Sequence, residues 1–142
     1  MCPKITGIMA CDPRGLIGND NSLPWNYPKE LEHFRHTVYG HIIIMGEKTF
    51  ESVPKDILQG CQSIVFSKTL QSISIPHCTF VSSLDEFMTL PLSKRPQLFM
   101  IGGAMIAHLF LRHNLLAEFI LTKIHKTYEG NVFLDLNLLK CW

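Results

Sequence analysis

The chain has 142 residues, 46% of them hydrophobic, which is enough for one domain with a substantial core and too few for two. We therefore expect a single domain over residues 1–142. Its 13 basic and 12 acidic residues alternate without long blocks of one sign, which argues against nucleic acid or an anionic membrane as partner. The five cysteines lack close pairing, and no apolar run reaches the ~18 residues of a membrane span, so we expect a soluble, cytoplasmic protein without a metal site.

Apolar runs separated by turn residues predict strands that alternate with helices. In chain order these are strand 5–11, helix 28–38, strand 41–45, helix 47–53, strands 62–66 and 79–81, a short helix after Ser83, strand 98–101, helix 104–112 and strand 118–125. Such alternation is typical of an α/β fold with a mostly parallel, twisted sheet and helices on both of its faces.

Several predicted strands end in glycine or small polar residues, and these ends are candidates for a ligand site. In an open parallel sheet, ligands bind beyond the carboxyl ends of the strands. The residues at that edge are Ala10, Cys11, 46–49, 67–68 and 102–103. Backbone N–H groups at helix starts attract phosphate, so 48–49 and 103–104 could hold a dinucleotide pyrophosphate. A glycine pair after a strand is as often a plain tight turn, but several such sites together favour a ligand.

A carboxylate near the start of the first predicted helix is the strongest candidate for proton transfer. Glu30 precedes Leu31 and lies four residues before Phe34, so the three share an apolar face. Burial of that face would desolvate the carboxylate and raise its pKa toward a value useful for proton delivery. The commoner role of such a glutamate is a solvated acid that interacts with the helix dipole. Trp25 is either an ordinary core or surface aromatic, or a donor that holds a water beside Glu30.

Three motifs stand out in this sequence. The first contains Ile17-Gly18, Leu23-Pro24-Trp25, Glu30-Leu31 and Phe34, the second Ile44-Met45-Gly46 and Thr49-Phe50-Glu51-Ser52, and the third Ile101-Gly102-Gly103. Together they resemble the dihydrofolate reductase family. The similarity extends from about Ile5 to Phe133, and the first two motifs together are highly specific.

This resemblance implies reduction of 7,8-dihydrofolate to tetrahydrofolate, with hydride from NADPH and a proton added at the pterin N5. Glu30 would hydrogen-bond the amino-pyrimidine ring of the pterin and support that protonation, and Thr122 would be its water-linked partner. Trp25 and the loop 17–23 would cover the nicotinamide and exclude bulk water. Glu30, Trp25 and Thr122 are therefore the expected catalytic residues.

The resemblance also implies which residues form the two binding regions. The apolar walls of the pterin and benzoyl pocket would be Ile8, Leu31, Phe34, Val53 and Ile101. The nicotinamide end would be held by Ala10, Ile17, Gly18 and Leu23, with the backbone of Ala10 and Ile17 on the carboxamide. The remaining dinucleotide contacts would be Gly46, Lys48, Thr49, Ser67, Lys68, Gly102, Gly103 and Ala104.

The sequence departs from the family at the position that holds the folate tail. The family places an arginine after the residue that corresponds to Gly60, where it pairs with the α-carboxylate of the glutamate tail, and this chain has Cys61. Loss of such a charge-assisted pair removes roughly 1.5–3 kcal/mol of binding free energy. Arg35 could reach the tail instead, although a solvated helix residue is an equally good interpretation.

Two further departures lie near the cofactor. The family often has an arginine for the 2′-phosphate where this chain has Glu47, so a preference for NADPH over NADH is expected to be weakened. Lys68 and Lys48 are the remaining cations there. A tyrosine that commonly stands near the nicotinamide is replaced by Ala107, which removes a large ring beside the reacting centre.

The family normally continues with a C-terminal hairpin whose last strand lies beside the sixth predicted strand. Because this hairpin is expected to be missing, strand 118–125 is expected to form an exposed and largely apolar sheet edge. Exposed edges tend to pair with another chain, so we expect self-association through the sixth predicted strand or some other cover.

Two alternatives to a dihydrofolate reductase remain open from the sequence. One is a weakly active or non-catalytic relative that binds nucleotide or pterin, which Cys61 and Ala107 favour and the set of Trp25, Glu30 and Thr122 disfavours. The other is a reductase of a pterin that lacks the glutamate tail, which the absence of the arginine would accommodate.

Overall fold

Strands and helices alternate along the described parts of the chain. The computed structural model describes residues 4–18, 28–53, 55–69, 75–90, 97–124, 126–127 and 129–135, except for the side chains of Pro28 and Glu30. The strands are β1 (Ile5–Cys11), β2 (Leu16–Gly18), β3 (Ile42–Gly46), β4 (Gln62–Phe66), β5 (Cys78–Val81), β6 (Leu98–Gly102), β7 (Leu116–Lys123) and β8 (Val132–Phe133). The helices are α1 (Pro28–Val38), α2 (Glu47–Ser52), α3 (Lys55–Gln59), α4 (Leu84–Met88) and α5 (Ala104–Arg112).

Six of the strands form one sheet in the order β5-β4-β3-β6-β1-β7. Every neighbouring pair within it is parallel. β2 and β8 form a separate antiparallel pair. The predicted α/β fold with a mostly parallel sheet is therefore confirmed, and the carboxyl ends of all six strands meet at one edge.

β3 shows how one strand supplies both faces of the sheet. Ile42 and Ile44 pack into a core with α5, whereas Ile43 and Met45 pack into a second core with α1 and α3. All four side chains are buried, because a parallel strand in the middle of such a sheet is covered on both sides. We call these two regions the α5-side core and the α1-side core.

The α5-side core is built around three aromatic rings from different elements. Phe87 of α4 and Phe110 of α5 lie 5.6 Å apart between ring centroids, and Phe66 at the end of β4 lies 5.7 and 5.9 Å from them. Phe87 and Phe110 are almost completely buried. Ala107 is also fully buried in this core.

Among the described residues, three short elements were not predicted from the sequence pattern, namely β2, α3 and β8. Each has five residues or fewer, too short to show a period. β7 begins two residues earlier than the predicted strand 118–125 and ends at Lys123, and residue 125 lies outside the described residues. β7 is the terminal strand of the six-stranded sheet in the described part of the chain. No described helix is both long and apolar enough to cross a membrane.

Candidate active site

The chain turns in opposite directions after the two central strands of the sheet. From β3 the chain passes through α2 and α3 to β4, which lies on the outer side of β3. From the neighbouring β6 it passes through α5 to β7, at the opposite end of the sheet. Such a change of direction opens a crevice at the carboxyl ends of the two strands, where ligands of open α/β sheets bind.

Glycines end the two strands that border this crevice. Gly46 is the N-cap of α2 and Gly103 is the N-cap of α5, and neither helix start has a side-chain cap. A Cβ atom on Gly103 would lie 3.4 Å from the Thr49 hydroxyl oxygen, so the two helix starts approach each other closely. Gly102 has φ +108°, and a Cβ there would lie 2.9 Å from the Met9 methyl carbon. The predicted cofactor residues at these two strand ends are therefore brought together.

One cluster, the α1-side core, unites all five side chains predicted for the pterin pocket. These are Ile8, Leu31, Phe34, Val53 and Ile101. Ile8 on β1 is buried, and the other four are partly buried. A wall of this kind, apolar and partly open, is typical of a small-molecule site. The strands β1 and β6 thus carry the wall right beside the crevice.

Ala10 and Thr122 face each other in the register between β1 and β7, which places two predicted site residues on neighbouring strands. Ile17 lies in β2, and its side chain packs into the α5-side core. The turn that leads to it is held by Asp12, a buried residue that sequence reasoning missed. One carboxylate oxygen of Asp12 accepts the N–H of Leu16 at 3.0 Å. This bond fixes the backbone that precedes Ile17.

Glu47 is joined to the turn after β4. The hydroxyl of Ser67 donates to the Glu47 carboxylate over 2.9 Å, and the hydroxyl of Thr69 donates to the same oxygen. The bond from Thr69, followed by the bond from Ser67, lowers the pKa of Glu47 below its usual value. Lys48 and Lys68 flank the group and are exposed. The region predicted to bind the phosphate therefore contains an ionised carboxylate.

The residues expected around the folate tail have other partners. Arg35 Nη2 lies 2.5 Å from Asp56 Oδ2, which ties α1 to α3. Arg35 is also paired with Glu32 at 3.5 Å on its own helix. Cys61 is buried, and its thiol donates to the carbonyl of Val38 over 3.3 Å. Burial raises the pKa of the Cys61 thiol, so this position supplies no charge. Arg35 is neither a freely solvated residue nor an unpaired cation.

Some predicted residues fall outside the part of the chain that the structure describes. Leu23 and Trp25 lie outside the described residues, and so does the side chain of Glu30, whose backbone belongs to α1. Gly18 is the last residue of β2. The catalytic assignment of Trp25 and Glu30 therefore remains a prediction from the sequence.

Comparisons with known proteins agree with this architecture. A family model for dihydrofolate reductase matches residues 4–141. The chain is 40% identical over 128 residues to dihydrofolate reductase of Bacillus subtilis, covering 89% of this chain and 73% of the relative. It is 34% identical over 131 residues to that of Lactococcus lactis, covering 91% and 76%, and 32% identical over 140 residues to that of Mycoplasma genitalium, covering 96% and 86%. The chain belongs to the dihydrofolate reductase family.

Proposed function

We propose that this chain, as one domain over residues 1–142, reduces 7,8-dihydrofolate to tetrahydrofolate with NADPH and so supports one-carbon metabolism. Members of this family are NADPH-dependent oxidoreductases. The observation that carries the proposal is the apolar wall on β1, β6 and α1, which lies directly beside the crevice between β3 and β6. A flat aromatic substrate and a dinucleotide can therefore meet at the carboxyl end of β1.

The residues of the crevice fit a dinucleotide. Gly46 and Gly103 leave backbone N–H groups without side-chain caps, and the close approach between Gly103 and Thr49 leaves little room for a side chain. Backbone N–H groups without a side-chain cap at the start of the nine-residue helix α5 suit a pyrophosphate. When bound, NADPH supplies the hydride. The residues that hold it in this proposal are Ala10, Ile17, Gly18, Leu23, Gly46, Lys48, Thr49, Ser67, Lys68, Gly102, Gly103 and Ala104.

The protein's own part in the reaction is to orient the substrate, exclude water and supply a proton. Ile8, Leu31, Phe34, Val53 and Ile101 hold the pterin and benzoyl rings by apolar contact. Glu30 binds the amino-pyrimidine ring and maintains a proton near the pterin N5, and Thr122 assists it through a water. Trp25 covers the nicotinamide end. Desolvation raises the pKa of a carboxylic acid, and a raised pKa makes the acid a better proton donor near neutral pH.

Arg35 is the cation of α1 that we assign to the glutamate tail. Its side chain is about one third exposed and its guanidinium is held by Asp56, so it presents a fixed direction to a substrate carboxylate. The tail must share the guanidinium with Asp56, which makes this anchor weaker than a dedicated arginine.

Substitution of Glu30 tests the proposed function. We expect the wild-type protein to consume NADPH only when dihydrofolate is present, and Glu30→Ala to lower kcat by about 100-fold or more because the proton donor is lost. Asp85→Asn is the control, since Asp85 is an exposed acid on α4, which packs on the opposite face of the sheet. A rate that is unchanged in Glu30→Ala would contradict the role of Glu30. If the wild-type protein bound NADPH without turnover of dihydrofolate, the proposal that it is an enzyme would be contradicted.

We also propose self-association through β7 and a cytoplasmic location. β7 is the terminal strand of the sheet in the described part of the chain, so it is the strand that a second copy would extend. Sedimentation velocity measures the association, and a strictly monomeric protein at high concentration would contradict it. The free thiols Cys11, Cys61 and Cys78 suit a reducing compartment. Cell fractionation tests that location.

A further inference from the structure

The carboxylate of Glu47 lies in the cofactor region and is held firmly. Glu47 is the first residue of α2, directly after β3, and its carboxylate reaches across to the turn that follows β4. There Ser67 and Thr69 both donate hydroxyl hydrogen bonds to it, and the N–H of Thr69 donates to the Ser67 hydroxyl oxygen over 3.2 Å. The carboxylate is therefore held in place between the carboxyl ends of β3 and β4.

The order of the strands places Glu47 at the end of the crevice away from the reacting rings. The apolar wall and Ala10 lie on β1 and β6, on one side of the change of direction. Glu47, Ser67 and Thr69 lie on the other side, after β3 and β4. A dinucleotide that crosses the crevice with its nicotinamide toward β1 has its adenosine ribose toward β4. Glu47 therefore faces the ribose end of the cofactor.

The hydrogen bonds at Glu47 leave little capacity to bind an additional anion. Each hydroxyl carries one proton, so Ser67 and Thr69 cannot donate to a phosphate while they donate to Glu47, and the contact proposed between Ser67 and the cofactor is not a hydrogen bond from this hydroxyl to a phosphate. An ionised carboxylate accepts hydrogen bonds from ribose hydroxyls and repels a phosphate on the same ribose. Lys48 and Lys68, the chain neighbours of Glu47 and Ser67, are exposed, and their positive charges attract the phosphate. The two effects oppose each other.

We propose that Glu47 sets the cofactor selectivity of this enzyme by disfavouring the 2′-phosphate of NADPH, so that NADH binds within about tenfold of NADPH. This inference rests on the proposed function, because it assumes a reductase that takes a nicotinamide dinucleotide. Glu47 acts on binding of the ribose, which is remote from the reacting atoms. Its effect is therefore expected in the Kd and KM of the cofactor and not in kcat.

Calorimetric titration of wild-type protein and Glu47→Gln tests the proposal without turnover. The probes are adenosine 2′,5′-bisphosphate and adenosine 5′-monophosphate, which differ only in the 2′-phosphate. We expect Glu47→Gln to bind the bisphosphate about tenfold more tightly, because one negative charge is removed from the site, and the monophosphate with a change of less than about threefold. Glu51→Gln is the matched control, since Glu51 is an exposed acid on the same helix.

Initial rates with NADPH and NADH at saturating dihydrofolate provide the second measurement. We expect Glu47→Gln to lower the KM for NADPH by about tenfold at unchanged kcat. Glu51→Gln should leave the KM of both cofactors unchanged. Equal shifts for both probes, or a wild-type enzyme that prefers NADPH by clearly more than about tenfold, would overturn the role of Glu47. Failure of the proposed function has a different signature, since neither cofactor would then be oxidised by dihydrofolate even where both probes bind.

Discussion

The apolar wall of the active site and the charged positions around it differ in how closely they follow the family. All five predicted wall residues lie in the α1-side core. At the charged positions, Cys61 is buried in that core, Arg35 is paired with Asp56, and Glu47 stands where a cation is common. The wall residues also stabilise the fold, so both folding and substrate binding restrict which side chains can stand there. The charged groups contribute little to folding and can change with the ligand.

Truncation of a buried wall residue gives the largest expected effect. Ile8→Ala should lower the free energy of unfolding by about 2–5 kcal/mol and also raise the KM for dihydrofolate, because Ile8 is at once core and pocket wall. Denaturant unfolding and initial rates measure the two effects. Phe110→Ala is the control, since this ring is fully buried in the α5-side core and its loss should cost about 3–5 kcal/mol without a change of KM.

Ile8→Val keeps the test valid if the alanine variant does not fold. It should cost about 0.5–1.5 kcal/mol and still raise the KM. A KM that responds equally to Ile8→Val and to Phe110→Ala would contradict the division between wall and core.

Removal of the Arg35 charge gives an intermediate effect. Arg35→Gln should raise the KM for dihydrofolate by about tenfold and leave the KM for a dihydropterin without a glutamate tail unchanged, because only the tail carries carboxylates. Steady-state rates with both substrates measure the difference. His36→Gln serves as control, since His36 is exposed and adjacent on α1. Equal changes for the two substrates would show that Arg35 acts only through the structural pair with Asp56.

Protonation of His108 gives the smallest effect and acts on stability alone. Burial, followed by the charge of Arg112, lowers the pKa of His108, while the charge of Asp135 opposes the shift. His108 Nε2 accepts the N–H of Asp135 over 2.8 Å and must be unprotonated to do so. The unfolded chain therefore binds this proton more readily than the folded protein. The free energy of unfolding should decline as pH falls below about 6.5, the ordinary histidine value, and through the lower folded pKa.

The decline should be less than about 1 kcal/mol, because the ring is partly exposed. Thermal unfolding across this pH range measures it. His108→Gln should remove this contribution, whereas His113→Gln, at the exposed C-cap of the same helix, should retain it. A decline that persists unchanged in His108→Gln would assign the pH dependence to another group.

The long elements of the fold were predictable because their patterns are local. Apolar runs marked β1, β4 and β6, and Ser83 marked the start of α4, where its hydroxyl accepts the N–H of Glu86 at 3.2 Å. The strands β2 and β8 were not predictable, since Leu16 pairs with Phe133 across more than a hundred residues. A two- or three-residue strand has no period of its own and exists only through its partner.

The candidate site also has a part that was predictable from local sequence and a part that depends on distant partners. The sequence by itself determined the family, the apolar wall and the glycine ends of β3 and β6, because residue type and spacing carry that information. Only the tertiary structure decided that Arg35 binds Asp56 and that Glu47 is held by Ser67 and Thr69. Those contacts join side chains about 20 residues apart along the chain, and each depends on which strands become neighbours. A linear pattern shows which groups are present, and the fold decides which of them meet.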